Sequence, residues 1–458
     1  MHNEVFAKMN NKVVVVLIFP LVLLTIFYCN SIEPPPPPSP EPEKEITLTL
    51  EDISAVEAWI RLTTTNMQQP DTVTLKQNNI IRSTINLVNS DTLLYIDSLL
   101  PGTNYSYVAE TREVISETLE VRTIDTTSHN FTWQTFEFGQ HSSSLLYDVA
   151  IINENNIWSV GEIYLNDSLG HTVRYNAIHW DGSGWNIKRI PFTGECSAVI
   201  YPPIRSVFAF SENDIWFARG GSLVHFNGVN YFNDCGMNSF LTGSINKIWG
   251  ISSEDLFIVG NNGNIAHYNG TSWQKIESGT ELPLVDVYGK NENEIYISGA
   301  YTPEIKGILL RGNSNQFSVM INSEIISENE LFDKLYGELA IVWVDELGTV
   351  YTGGNILFRY KNNEWNYVRS LPENFIGGNP GTYYRGFISS IRGIASNDYI
   401  IAGDRNTLKH FNGVTWEQIG LPYSPSSPII WYSVEMKGNT AIAVGDKGSN
   451  AFIILLKR

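Results

Sequence analysis

Four histidines stand at one position of a repeated phrase: His179 in "HWDG", His225 in "HFNG", His267 in "HYNG" and His410 in "HFNG". Imidazole gains and loses a proton near neutral pH and is a common metal ligand. A His shown four times is therefore the first place to look for acid–base or metal chemistry. The residues after it point elsewhere. Asn-Gly and Asp-Gly are tight-hairpin signals, because the turn requires positive φ. Each His then falls near the end of the third strand of its own repeat. Four equivalent outward positions around a ring cannot converge on one substrate. Arg311 and Arg359 take the same place in two further repeats. An outer-strand polar residue with an architectural role is expected. The aromatic column Trp185, Trp273, Trp365 and Trp416 reads the same way, as filling between repeats.

A second set of polar residues falls on what read as the innermost strands: Asp148, Ser206, Lys247, Asp286, Ser390 and Ser433. Asp148 and Asp286 are a carboxylate pair of the type used in glycoside hydrolysis. They belong to the first and fourth repeats, too far apart around a ring to share one bond. Solvating the channel is the expected role. The acidic phrases "NENNI", "SENDI", "SSEDL" and "NENEI" read as solvated turns, since the D-x-D-x-D-G spacing of a calcium loop is absent. The chain also lacks Gly-x-Ser-x-Gly, a phosphate-cradling loop, His-Glu-x-x-His and paired Cys-x-x-Cys. No catalytic residue, no metal and no cofactor is expected.

The elements that carry these residues repeat. "YDVAIINENNIWSVG", "RSVFAFSENDIWFARG", "NKIWGISSEDLFIVG", "VDVYGKNENEIYISG", "LAIVWVDELGTVYTGG", "SSIRGIASNDYIIAG" and "YSVEMKGNTAIAVG" are seven copies of a two-strand phrase. Six are followed by an outer pair such as "IAHYNGTSWQKI". The seventh ends in "AFIILLKR" without its last strand, and "FTWQTFEFG" from Phe131 is an orphan strand before the first copy. Pairing the two closes a ring and removes an exposed edge. Repeats of about 40 to 60 residues with four short strands each predict a β-propeller, here seven-bladed and closed by an N-terminal outer strand. Residues 130–458 resemble the propeller repeats of exported bacterial surface proteins, in pattern and not in any catalytic motif; the Ser-Asp-Gly-Trp repeat of sialidases is not reproduced.

Residues 46–127 carry short runs with period-two alternation, such as "EITLTL", "DTVTLKQ" and "ETLEVRTI". Trp59 sits in an early strand, and "LLPGTNYSYVAE" places Tyr105 just after a Pro-Gly turn, as in a tyrosine corner. This stretch resembles a fibronectin type III domain. The resemblance implies a β-sandwich that serves as a spacer or adhesive module. The whole chain is thus expected to be all-β.

Upstream, Lys12 precedes an apolar run from Val13 that ends at Cys29, and Met9 offers an alternative start. The run reads as a secretory signal. Residues 1–29 resemble a bacterial lipoprotein signal, which implies lipidation of Cys29 and an exported, lipid-anchored protein of the cell envelope, at the outer-membrane surface or in the periplasm. Tyr28 departs from the small residue that family places before the Cys; plain cleavage or an uncleaved anchor are the alternatives, and all three export the remainder. Residues 30–45 hold "EPPPPPSPEPEKE", an extended polyproline spacer. Cys196 and Cys235 flank one repeat, either as a disulfide or as two buried thiols.

Composition bounds the partners. The chain of 458 residues is 43% hydrophobic and 17% charged, which excludes a disordered chain. A net charge of −18 with no basic run disfavours nucleic acid. The variable loops concentrate on one face, where second-to-third-strand turns and repeat-to-repeat connections meet: "TGECSAVIYPP", "FNDCGMNSF", "PENFIGGNPGTYYRGF" and "PYSPSSP". Loops that vary on a repeating scaffold are where function concentrates. Tyr201, Arg219, Phe375, Tyr383, Tyr384, Arg405 and Tyr423 are the candidate ligand-binding residues on this face. Aromatic and Arg content suits recognition of a protein or a glycan by a monomeric, non-catalytic binding or adhesion module. A carbohydrate-active propeller enzyme (glycoside hydrolase, lyase or glycosyl transferase) is the alternative.

Overall fold

The computed structural model describes residues 42–458 apart from 142, 195–197, 235–236, 238–240, 324–336, 369–386, 422–423 and 425. The apolar leader, Cys29, Cys196, Cys235, Phe375, Tyr383, Tyr384 and Tyr423 lie outside the described residues.

Seven strands come first: β1 (Glu45–Ile53), β2 (Ala58–Thr65), β3 (Asp71–Gln77), β4 (Ile80–Leu87), β5 (Asp91–Ile96), β6 (Asn104–Glu110) and β7 (Leu119–Arg122). They form two sheets, ordered β1-β2-β5 and β4-β3-β6-β7. Alternation in the sequence sends one set of side chains inward. Ile46, Leu48, Ile60 and Leu62 meet Val73, Leu75, Tyr105 and Tyr107 in one core between the sheets. Each fully buried aliphatic side chain there contributes about 1.5–3 kcal/mol. The turn before β6 is fastened as its sequence suggested: the Tyr105 hydroxyl accepts a hydrogen bond from the Leu100 backbone N–H at 2.7 Å.

Among the described residues the remainder is built from seven further four-stranded antiparallel sheets, here sheets I to VII in chain order, with a two-stranded sheet of Phe192–Gly194 and Ala198–Ile200 between the first two. Their innermost strands are Leu145–Asn153, Ser206–Ser211, Ile245–Ser252, Leu284–Asn291, Ile341–Val344, Ile388–Ala395 and Ile429–Lys437. Each innermost strand neighbours the next, and the last neighbours the first, so the sheets form a ring. Sheet VII takes its outer strand from the other end of the segment. β8 (Thr132–Phe138) pairs with Asn450–Lys457 from Phe138↔Ala451 to Thr132↔Lys457.

Second strands such as "DLFIVG" and "DYIIAG" are buried along their length, because a sheet packs on either face. That burial explains their continuous apolar runs. The glycine closing each run also has a cause. A Cβ on Gly403 would lie 1.9 Å from the Phe387 carbonyl oxygen, and one on Gly445 would lie 1.8 Å from that of Ile430. The tryptophans fill the space between sheets, as expected: Trp185 of sheet I packs on Phe136 of β8, and Trp273 of sheet III packs on Trp216 of sheet II.

The two-sheet unit packs on the ring face that carries first-to-second and third-to-fourth turns. Glu57 meets Arg359 at 3.4 Å, and the Lys361 ammonium contacts Asp52 and sits 5.0 Å from the centre of the Trp59 ring. The Asn397 side chain donates to the Asp125 carbonyl at 2.7 Å, and the Thr127 hydroxyl donates to the Asn397 carbonyl at 2.9 Å. Among the described residues, these contacts of the two-sheet unit all fall on that one face of the ring.

Candidate binding face

The repeated histidines are structural, through a contact the sequence did not reveal. Each third-strand His bonds the polar residue at the start of its second strand: His179 to Asn156, His225 to Asp214, His267 to Asp255 and His410 to Asp398, at 2.8–2.9 Å. Three of the rings also stack on a second-strand aromatic, Trp158, Trp216 or Phe257. Outward exposure was expected, yet His267 and His410 are buried, because the carboxylate partner lets the imidazole be enclosed without an unmet hydrogen bond. The Asn-Gly turns behave as expected. Gly228, Gly270 and Gly413 have φ of +88°, +83° and +98°.

The innermost polar column stitches sheet to sheet. Asp148 of sheet I accepts the Val207 N–H of sheet II at 3.1 Å, and the Ser206 hydroxyl accepts the Ile248 N–H of sheet III at 3.1 Å. Asp286 accepts the Val342 N–H of sheet V, and Ser390 accepts the Val434 N–H of sheet VII, both at 3.1 Å. Ser433 donates to Asp148 at 2.9 Å and so joins the last sheet to the first. Four members of the column thus meet backbone donors that neighbouring sheets leave unpaired.

Two carboxylates in the column also hold cations across the channel. Lys247 Nζ lies 2.7 Å from Asp148, and Arg392 lies 2.9 Å from Asp286. Burial pushes the Asp148 carboxyl up. The Lys247 charge, with hydrogen bonds from Lys247, Ser206 and Ser433, outweighs burial and holds it below the ordinary carboxylate value. Burial likewise opposes the Arg392 charge, and Asp286 outweighs it, so the guanidinium is held above its usual value. Carboxylates committed to cations and backbone in this way are poor proton donors to a substrate.

Lys247 and Arg392 line two cavities of about 310 Å³ each, one on either side of this charged belt. One cavity is walled by strand residues such as Val149, Val207 and Ile248, with Glu435, whose carboxyl burial pushes up against the pull of Arg392 and Lys247. The other opens on the loop-rich face, with Tyr147, Arg205, Asn261, Phe387 and Tyr432 in its wall. There the Arg205 guanidinium lies 4.3 Å from the centre of the Tyr147 ring, and Tyr147 and Tyr432 have ring centroids 5.9 Å apart. Burial and the neighbouring Asp446 push the Tyr432 hydroxyl up to about 12, so it stays a neutral donor.

Beside the mouth, Glu162 accepts hydrogen bonds from Tyr147 at 3.4 Å and Tyr164 at 2.6 Å. Arg174 reaches the Tyr201 carbonyl at 3.0 Å, and Arg189 covers the Tyr201 ring at 3.8 Å. Arg219 is half-buried; burial, and then the Arg174 charge, lower its pKa.

Of the candidates read from sequence, Tyr201 and Arg219 fall in this cluster. Arg405 is exposed at a left-handed turn position with φ of +49°, on the second-to-third-strand turn of sheet VI. Phe375, Tyr383, Tyr384 and Tyr423 lie outside the described residues. Tyr147, Arg174, Arg205 and Tyr432 were missed. A signal existed: four arginines, 174, 189, 205 and 219, crowd one stretch of an acidic chain.

No protein-family model matches the sequence, and no curated protein matches it. Among solved structures, the chain is similar to YCF48 bound to D1 peptide, at 14% identity over 73% of this chain and 99% of that one, with a TM-score of 0.49. The WD40 β-propeller domain of Doa1 matches at 13% identity over 72% and 98% of the two chains, TM-score 0.49. The extracellular domain of BT4673 from B. thetaiotaomicron matches at 13% identity over 70% and 40%, TM-score 0.44.

Proposed function

We propose that this is an exported, lipid-anchored binding module without catalytic activity. In this reading a fibronectin type III-like domain over 46–127 supports a seven-bladed β-propeller over 130–458. The propeller recognises a protein or glycan of the cell envelope through its loop-rich face. The carrying observation is the mouth of the ring on that face, where Tyr147, Arg205 and Tyr432 surround a cavity of about 310 Å³. Tyr and Arg supply large contact area and directional donors, the residue types that dominate recognition surfaces. The docking of the two-sheet unit supports the reading, since its contacts among the described residues fall on the other face.

The test is a glycan and surface-protein array probed with the chain from Glu33, beside an Arg205→Ala/Tyr432→Ala variant. Retained ligand that is lost in the variant supports the reading. A ligand that binds both forms equally rejects this face, and a ligand that is retained and then cleaved rejects the non-catalytic reading.

A further inference from the structure

The arginines at the mouth differ from most arginines described elsewhere, although Arg112, Arg122 and Arg405 also form no ion pair among the described residues. Arg61, Arg82, Arg311, Arg359, Arg392 and Arg458 all face a carboxylate. Arg174, Arg205 and Arg219 form no ion pair among the described residues. Arg174 reaches a carbonyl and the Tyr164 hydroxyl, Arg205 covers a tyrosine ring, and the Arg174 charge acts on Arg219. Of the carboxylates nearby, Glu162 accepts from two tyrosine hydroxyls, Asp446 accepts from Tyr432, and Asp148 and Asp286 are committed to Lys247 and Arg392. The backbone brings them together: the Arg205 N–H donates to the Ala218 carbonyl at 2.8 Å, one residue before Arg219. Gathering cations side by side without counter-charge costs free energy, and more so in a half-buried setting than in open water. In a chain of net charge −18 the arrangement is a local reversal of sign.

We infer that this cluster, which meets the cavity at the mouth through Arg205, is a docking site for an acidic peptide segment, whose carboxylates pair with Arg174, Arg205 and Arg219. The inference rests on the binding-module reading and names its ligand chemistry. Planar guanidinium groups take carboxylates two hydrogen bonds at a time, which gives direction as well as charge. A peptide is favoured over an acidic glycan by what covers the aromatic rings. Sugar recognition on tyrosine needs an open ring face, and here guanidinium groups lie over Tyr147 and Tyr201 at 4.3 and 3.8 Å. The Tyr147 ring instead holds Arg205 in place, which lowers the ordering cost of binding.

The test is fluorescence anisotropy of the chain from Glu33 with a labelled ten-residue peptide of alternating Glu and Gly. A Lys-Gly peptide of equal length and a tetra-galacturonate of comparable charge are run beside it. The expected result is saturable binding of the Glu peptide, weakened tenfold or more in Arg174→Gln/Arg205→Gln/Arg219→Gln. An Arg112→Gln/Arg122→Gln variant, altered on the two-sheet unit, is expected to bind like the parent. Equal circular dichroism and melting of all three forms shows that each is folded. Four outcomes overturn the inference: no binding of the Glu peptide, equal binding of the Lys peptide, equal loss in both variants, or tighter binding of the galacturonate. An array ligand on this face that carries no negative charge removes the inference while leaving the binding-module reading in place.

Discussion

Nδ1 of His129 lies 2.8 Å from Nδ1 of His410, so one proton serves both atoms. The other ring atom of His410 donates to Asp398 at 2.8 Å, and Asp398 also meets Arg458. His410 Nδ1 is therefore the acceptor and His129 Nδ1–H the donor. His129 Nε2 faces Thr415 Oγ1 at 3.0 Å, and Glu417 acts on the ring from further off. A second proton would set N–H against N–H. Burial, and then His410, hold the His129 pKa below its ordinary value. As pH falls below about 6.5, the unfolded chain takes up this proton before the folded one does, so stability is present above that pH and lost on acidification. Between pH 7.5 and 5.0 the melting temperature of the parent should fall more than that of His129→Gln. Parallel melting curves in calorimetry would remove the His pair from the account.

Asp345 works in the opposite direction. Burial raises its carboxyl to about 6, although Leu347 and Thr349 donate backbone N–H groups to it at 3.0 and 2.8 Å. The folded state holds the proton more tightly than the unfolded state, so this group's stabilisation is complete below about pH 4 and lost as pH rises through 6. Asparagine keeps the acceptor and carries no charge. Asp345→Asn should be the more stable form at pH 7.5, by roughly 1–2 kcal/mol. The gain should vanish at pH 4 in urea titrations, and a constant gap across pH would refute the charge argument.

The inner carboxylates are expected to matter for folding. Asp148→Ala leaves Lys247 in the channel without its partner and removes the acceptor for Val207 and Ser433. Breaking a buried pair by removing one member costs about 3–5 kcal/mol. Guanidinium denaturation should show a loss of that order for Asp148→Ala. An unchanged midpoint would return Asp148 to the list of groups free for chemistry.

Gly445→Ala tests the close approach of second strand to innermost strand. The new methyl group would meet the Ile430 carbonyl oxygen, a backbone atom held in its own ladder. Overpacking of this type costs about 1–3 kcal/mol. Substitution at Gly438, where nothing lies within 4 Å, should cost little beyond the strain of its φ of +58°.

Much of the scaffold was legible because it repeats. "FNG" and "YNG" announce hairpins whose positive φ is a local requirement, and seven inner phrases against six outer ones pointed to β8 as the missing partner. The alternation in "EITLTL" and "DTVTLKQ" marked half-buried strands. The His partners were not legible. Asp214, Asp255 and Asp398 lie eleven or twelve residues before their histidines, among acidic turn residues that look alike in sequence. The arginine cluster was harder still, because Arg174, Arg205 and Arg219 come from three strands or connections, and only the packing of sheet I beside sheet II sets them side by side. Tyr147 is an innermost-strand residue with no neighbour in sequence to mark it. Its importance comes from Arg205, 58 positions away.

The docking of the two-sheet unit gives the ring a fixed posture. Glu57, Asp52 and Trp59 grip the third strand of sheet V, and the chain then runs directly into β8, the strand that closes sheet VII. A pull on the N-terminal side is shared between that grip and the seven residue pairs joining Thr132–Phe138 to the end of the chain. Tension and closure thus use the same strand: a load carried from the two-sheet unit into the ring bears on the clasp that closes it.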